Sequence, residues 1–115
     1  MSIMMQELFE APFVVEKALE SNLSTAKHIA DVCKARNIKR VILAGRGSSL
    51  HAGIAFKFFL EKQTPYVLSF EYPSMVTLFK AERDLTDSLY IVVSQSGAGP
   101  DTLAFAQSAK NQGAL

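Results

Sequence analysis

Tryptophan is absent from these 115 residues, cysteine occurs once, and twelve basic side chains are nearly cancelled by eleven acidic ones, leaving a formal charge of +1. Each shortage removes a class of explanation. A lone cysteine, Cys33, cannot close an intramolecular disulfide, so folding has to come from an apolar core. Near-neutrality, with Lys and Arg spread thinly along the chain, supplies no field to gather nucleic acid or an acidic membrane, and neither is expected as a partner. No apolar run reaches the roughly 18 residues that span a bilayer, and no signal-peptide pattern opens the chain, which makes cytoplasmic the expected location.

What is present is apolar and evenly distributed. Hydrophobic residues make up 49% and charged residues 20%, the balance of a folded chain with one core. No repeat, low-complexity tract or linker breaks it. The alternation of periods predicts one α/β unit over residues 1–115, with N-terminal helices over 1–39 and a βαβαβα core over 40–115.

Residues 3–10 read as a short amphipathic piece ending at Ala11-Pro12, because proline disfavours helical geometry in the residue before it. A second helix then carries Val14, Val15, Ala18, Leu19, Leu23, Ala26, Ile29, Ala30 and Cys33 at three- and four-residue intervals, with a possible interruption at Asn22–Thr25 and a C-terminal cap at Asn37. Cys33 is expected in the core and His28 on a solvated face. Val41–Ala44 is the first strand and runs into Gly45-Arg46-Gly47-Ser48-Ser49. Leu50–Lys62 follows as a helix apolar around most of its circumference, so the face the sheet leaves bare is expected to meet either a part of the protein not contained in this chain or another subunit, and in the chain alone it predicts self-association. Tyr66–Phe70 is the second strand, Ser74–Lys80 a short helix, and Ser88–Val93 the third strand. It empties into Ser94-Gln95-Ser96-Gly97. Pro100 suits the first position of a helix reaching Lys110, and Ala114-Leu115 reads as the first step of a fourth strand.

Apolar strands separated by helices form a parallel sheet covered on both faces. Right-handed crossovers give strand order 2-1-3, so the first and third strands lie side by side and their carboxyl ends make a switch point. The only two glycine-serine loops in the chain leave those two ends. Each opens a helix, so backbone N–H groups, serine hydroxyls and two helix N-termini converge on one spot suited to a phosphate. As turn residues and caps, the serines would also be ordinary.

Other small-molecule signatures fail on inspection. Gly45-x-Gly47 begins like a dinucleotide fingerprint, and Glu71, 24 residues after Gly47, imitates its ribose-binding acid. Leu50, however, occupies the position where that fingerprint needs Gly or Ala for close helix–strand packing. No Gly-Lys-Ser or Gly-Lys-Thr completes a Walker A loop, and no histidine or cysteine pair stands at metal-ligand spacing. No cofactor and no metal is expected. His51 has no partnering acid in sequence and reads as a helix-surface or interface residue.

Gly45-Arg46-Gly47-Ser48-Ser49, together with Ser94-Gln95-Ser96-Gly97 and Pro100-Asp101-Thr102, resembles the sugar isomerase (SIS) domain, a three-layer, flavodoxin-like α/β/α fold. Met5-Gln6-Glu7-Leu8-Phe9-Glu10-Ala11-Pro12 further resembles the start of the isomerase portion of glucosamine-6-phosphate synthases, and also shorter SIS-type isomerases and deaminases. The resemblance implies that Ser49, Ser94, Gln95 and Ser96 hold a sugar 6-phosphate, that Ser48 approaches the sugar, and that Gly47 and Gly97 complete the binding loops. It also implies that the catalytic groups lie in a part of the domain not contained in this chain, so no residue here is assigned a catalytic role. The chain then reads as a partial SIS domain ending after its third strand. The function expected is the phosphosugar-binding part of an isomerase, aminotransferase or deaminase acting on fructose 6-phosphate or glucosamine 6-phosphate, within a homo-oligomer. The alternative is a non-catalytic phosphosugar sensor acting through a protein partner. The family commonly has an acidic residue and a hydroxyl after Ser-Gln-Ser-Gly. Here Ala98 and Gly99 stand there, so one phosphate contact is missing or replaced by backbone, and weaker or altered ligand preference is expected unless Thr102 or Arg46 compensates.

Overall fold

The computed structural model describes all residues, 1–115. Seven elements follow in order: α1 (Ile3–Ala35), β1 (Arg40–Ala44), α2 (Ser48–Gln63), β2 (Val67–Phe70), α3 (Pro73–Thr77), β3 (Ser88–Val92) and α4 (Pro100–Asn111). The chain divides into two compact units, Met1–Lys34 and Ala35–Leu115.

The first unit is one uninterrupted helix, where two pieces and a possible gap at Asn22–Thr25 were expected. Pro12 lies inside it. A proline removes one backbone donor but only disfavours helical geometry in its predecessor, and the turns on either side carry the helix through. The polar residues near the expected gap turn back on their own helix. Ser21 Oγ donates to the Lys17 carbonyl at 2.8 Å and Asn22 Nδ2 to the Ala18 carbonyl at 2.8 Å, so neither needs a break to find a partner. Most large apolar side chains of α1 are exposed, Phe13 among them, whereas Cys33 is buried. Asn37 adopts a left-handed φ of 53° just past the helix, the conformation asparagine tolerates at a helix end.

The second unit is a three-stranded parallel sheet in the order β2-β1-β3, with helices between the strands. Leu43 of β1 pairs with Phe70 on one side and Ile91 on the other. As the central strand, β1 is buried from Val41 to Ala44. Successive side chains point to opposite faces. Val41 and Leu43 form one core with Leu68, against which Leu60, Leu89 and Ile91 pack, and α2 covers this face with Gly53 against Leu43. On the other face Tyr90 and Val92 adjoin Ala106 and Ala109 of α4. Helices therefore cover both faces, the doubly wound arrangement expected.

Both sheet edges have identifiable partners. At the β2 edge the Leu68 N–H donates to Glu61 Oε1 at 2.9 Å, and the Leu68 carbonyl accepts from Lys57 Nζ at 2.7 Å. Two residues one turn apart on α2, themselves ion-paired, thus occupy backbone groups that an edge strand would otherwise offer to another chain. At the β3 edge the Leu115 N–H donates to the Ser88 carbonyl at 3.0 Å, and the Tyr90 N–H donates to the Leu115 carbonyl at 2.9 Å. Leu115 begins a parallel pairing beside β3, the step expected from Ala114-Leu115.

Glu71 is buried directly after β2. Arg83 grips it in a fork, Nη1 to Oε1 at 3.0 Å and Nη2 to Oε2 at 2.8 Å, and Tyr90 Oη donates to Oε2 at 2.6 Å. The carboxylate that imitates a ribose ligand in sequence is committed to an internal network tying β2, β3 and the connection between them.

Candidate functional site

At the carboxyl ends of β1 and β3 the chain leaves the sheet twice, and the two exits line a single crevice of about 540 Å³. Parallel pairing continues to its floor, where the Val93 N–H donates to the Ala44 carbonyl at 2.9 Å. The strands then diverge, because β1 feeds α2 on one face and β3 feeds α4 on the other. This is where the crossover rule puts a ligand crevice. Its volume lies within the range of small-molecule sites, roughly 300–1,000 Å³.

Ser48 and Ser49 line the crevice from the β1 side and Ser94, Gln95 and Ser96 from the β3 side. Five of the seven residues singled out from sequence therefore meet. Gly47 and Gly97 lie outside the lining and act on the loops instead. Gly47, the residue before α2, sits at φ 57° and ψ −127°, a region open in practice only to glycine. It turns the chain sharply enough to start α2 at Ser48, two residues earlier than the apolar periodicity suggested. Ser48 and Ser49 thereby fall in the first turn of α2 and no side chain caps that helix, so the capping role open to them in sequence is not used.

The β3 loop is braced from within. Ser94 Oγ accepts the Gly97 N–H at 3.1 Å, and Ser96 Oγ accepts the Ala98 N–H at 3.3 Å. Those two amides are occupied, so what the loop can still offer an anion from these serines is their hydroxyl protons. A hydroxyl that accepts through oxygen remains free to donate through hydrogen.

The far wall comes from the Pro100-Asp101-Thr102 segment that carries part of the family resemblance, although none of its residues was singled out for the site. Gly99, Pro100, Asp101 and Thr102 line the crevice from the start of α4, with Phe105 below them. Asp101 brings a carboxylate into the site, and Arg46 of the β1 loop meets it, Nη1 to Oδ2 at 2.7 Å. The available signal was an acid beside the proline that opens a helix, a position normally explained by the helix dipole. His51 is exposed and outside the lining.

No protein-family model matches the chain. It is 31% identical over 118 residues to the glutamine–fructose-6-phosphate aminotransferase (isomerizing) of Aquifex aeolicus, covering 97% of this chain and 18% of that protein. With the enzyme of the same name from Pseudomonas putida it shares 32% over 127 residues, covering 97% and 19%. The chain thus spans about a fifth of the length of these relatives. Among solved structures, a candidate phosphosugar isomerase from Silicibacter pomeroyi superposes with a TM-score of 0.91 at 29% identity, covering the whole of this chain and 35% of that one. A second, from Clostridium difficile, gives 0.63 at 26% identity over 84% of this chain and 27% of its own. In its two serine loops at adjacent strand ends and its β2-β1-β3 sheet the chain resembles part of a sugar isomerase (SIS) domain, and over its whole length it has the fold of the Silicibacter pomeroyi structure.

Proposed function

We propose that the crevice holds the phosphate of a sugar phosphate, and that the chain is the phosphosugar-binding part of an isomerase, aminotransferase or deaminase acting on compounds of the fructose 6-phosphate or glucosamine 6-phosphate kind. The observation that carries this reading is the meeting of Ser48 and Ser49 with Ser94, Gln95 and Ser96 in one cavity, beside the first turns of α2 and α4. Hydroxyl and amide donors clustered at helix N-termini fit a phosphate better than a neutral sugar ring. The aminotransferases and the phosphosugar isomerases to which the chain is similar lend the same support.

Holding the phosphate fixes the open-chain sugar, and the proton transfer between adjacent carbons then needs a positioned base. The titratable groups lining the crevice are Arg46 and Asp101, which engage each other. In this reading the chain supplies orientation, and the base belongs to residues outside it. Calorimetric titration of the 115-residue chain with fructose 6-phosphate, glucosamine 6-phosphate and unphosphorylated fructose tests it. The expected result is binding of the phosphorylated sugars and loss of binding in Ser49→Ala combined with Ser96→Ala. Equal binding of fructose and fructose 6-phosphate overturns it.

We also propose that the chain self-associates. Phe58 and Phe59 of α2 are 75% and 63% exposed, a surface more apolar than a solitary protein ordinarily presents.

A further inference from the structure

Arg46 is the one cation lining the crevice and Asp101 its one carboxylate. Every other polar group there is neutral, and Ala98 and Gly99, which follow the braced β3 loop, offer no side-chain donor. The two charges span the opening from the β1 loop to the first turn of α4, with Arg46 Nη1 2.7 Å from Asp101 Oδ2. Both side chains are about half exposed, at 58% and 45%. An ion pair that wet contributes little, because water screens it and two long side chains must be held still. It is therefore easily exchanged. Arginine, moreover, presents donors in a planar fork that matches the oxygens of a phosphate.

A phosphate dianion entering the crevice would meet neutral hydroxyls, one carboxylate that repels it, and one cation already occupied. We infer that Arg46 is the charged phosphate contact of the site and that Asp101 is its displaceable counter-ion, so that a sugar phosphate binds by taking Arg46 from Asp101. This rests on the phosphosugar reading above and extends it by naming what selects a dianion. Without ligand, Asp101 neutralises Arg46 and keeps it at the rim. With ligand, the phosphate wins because it carries more charge and can accept two guanidinium bonds through its oxygens. The two aspects of the pair have opposite consequences: removing the cation weakens binding, whereas removing the carboxylate strengthens it by abolishing both the competitor and the repulsion.

The test is titration of the 115-residue chain with fructose 6-phosphate, comparing the wild type with Arg46→Gln, Arg46→Lys and Asp101→Asn. Arg46→Gln should bind roughly ten- to a hundredfold more weakly, the range for a hydrogen bond to a charged group. Arg46→Lys should recover part of that loss by keeping the charge. Asp101→Asn should bind more tightly than wild type, with a steeper decline in affinity as salt is added, since Arg46 then faces the ligand alone. Wild-type binding that survives Arg46→Gln within about twofold overturns the inference and leaves the phosphosugar reading standing. Asp101→Asn weakening binding as Arg46→Gln does also overturns it, because the pair would then be a fixed brace. Absence of fructose 6-phosphate binding by the wild type overturns both. Both side chains are about half exposed, and thermal midpoints close to wild type establish that each variant is folded.

Discussion

Tyr90 on β3 donates its hydroxyl to Glu71 Oε2 at 2.6 Å, on a carboxylate that Arg83 already holds by both oxygens. Burial, reinforced by the hydrogen bond and by the negative charge of Glu71, pushes the phenol well above its ordinary value. The folded protein thus retains the Tyr90 proton more tightly than the unfolded chain, whose tyrosine ionises near pH 10. Stability from this contact is complete below about pH 10 and is lost as pH rises beyond it. Tyr90→Phe should cost about 1–2 kcal/mol at neutral pH and flatten the alkaline limb of the stability curve. Chemical denaturation at several pH values checks both, and an unchanged alkaline limb in Tyr90→Phe would falsify the assignment.

Removing the carboxylate should do more damage than removing the phenol. Glu71→Ala strands the Arg83 guanidinium and the Tyr90 hydroxyl together, at a cost of about 2–4 kcal/mol after allowance for Arg83 being partly exposed. Arg83→Ala combined with Glu71→Ala should be less harmful than the sum of the single changes, because the two share one interaction. Additive losses in a double-mutant cycle would show that the fork contributes nothing of its own.

Gly53 of α2 lies so close to β1 that a Cβ there would come within 2.5 Å of Leu43 Cδ2. Alanine ordinarily strengthens a helix by about 1 kcal/mol over glycine, yet Leu43 is 2% exposed, so its side chain would have to shift within the packed core to admit the methyl. Overpacking of about 1–3 kcal/mol should win, so Gly53→Ala is expected to lower stability by about 1 kcal/mol. Leu43→Val should cost less in the Gly53→Ala background than in the wild type. A Gly53→Ala protein more stable than wild type would show that α2 can slide off the sheet without penalty.

Gly47 presents the opposite case, since a Cβ there meets nothing within 4 Å. The obstacle is the backbone, held at φ 57° and ψ −127°. Gly47→Ala should therefore cost about 1–3 kcal/mol and misplace Ser48 and Ser49. Weaker binding of fructose 6-phosphate at saturating folded fraction is the functional signature to look for, and retained stability together with retained binding would contradict the strain.

Sedimentation over a range of concentrations bears on the exposed aromatic surface. Wild type should shift toward larger species as concentration rises, and Phe58→Ser with Phe59→Ser should reduce that shift while keeping the fold, as both side chains stand largely in solvent. A monomer at every concentration would remove the case for self-association.

Much of this arrangement was legible in the residues alone. The apolar run Val41–Ala44, buried on both faces, reads as a central parallel strand because its side chains show no polar alternation, and β1 is that strand. The 2-1-3 order follows from chain handedness rather than from any particular contact, which is why it could be deduced before any distance was known. Pro12 and Asn22 misled because local propensity is weak beside the continuity of a long helix: the proline lies inside α1, and Asn22 bonds back within it.

By itself, then, the sequence determined the strands, their order and the two loops that must meet, since these depend on periodicity and on the handedness common to every chain of L-residues. Only the tertiary structure decided what the crevice contains besides its serines. Arg46 and Asp101 are 55 positions apart, and their pairing depends on where the β1 loop and the start of α4 come to rest in space. The same holds for Glu71, whose sequence position suggests a ligand contact but whose carboxylate is enclosed by Arg83 and Tyr90. Charge and hydrogen-bond partners are matters of a few ångströms, and no periodicity in the sequence encodes such distances.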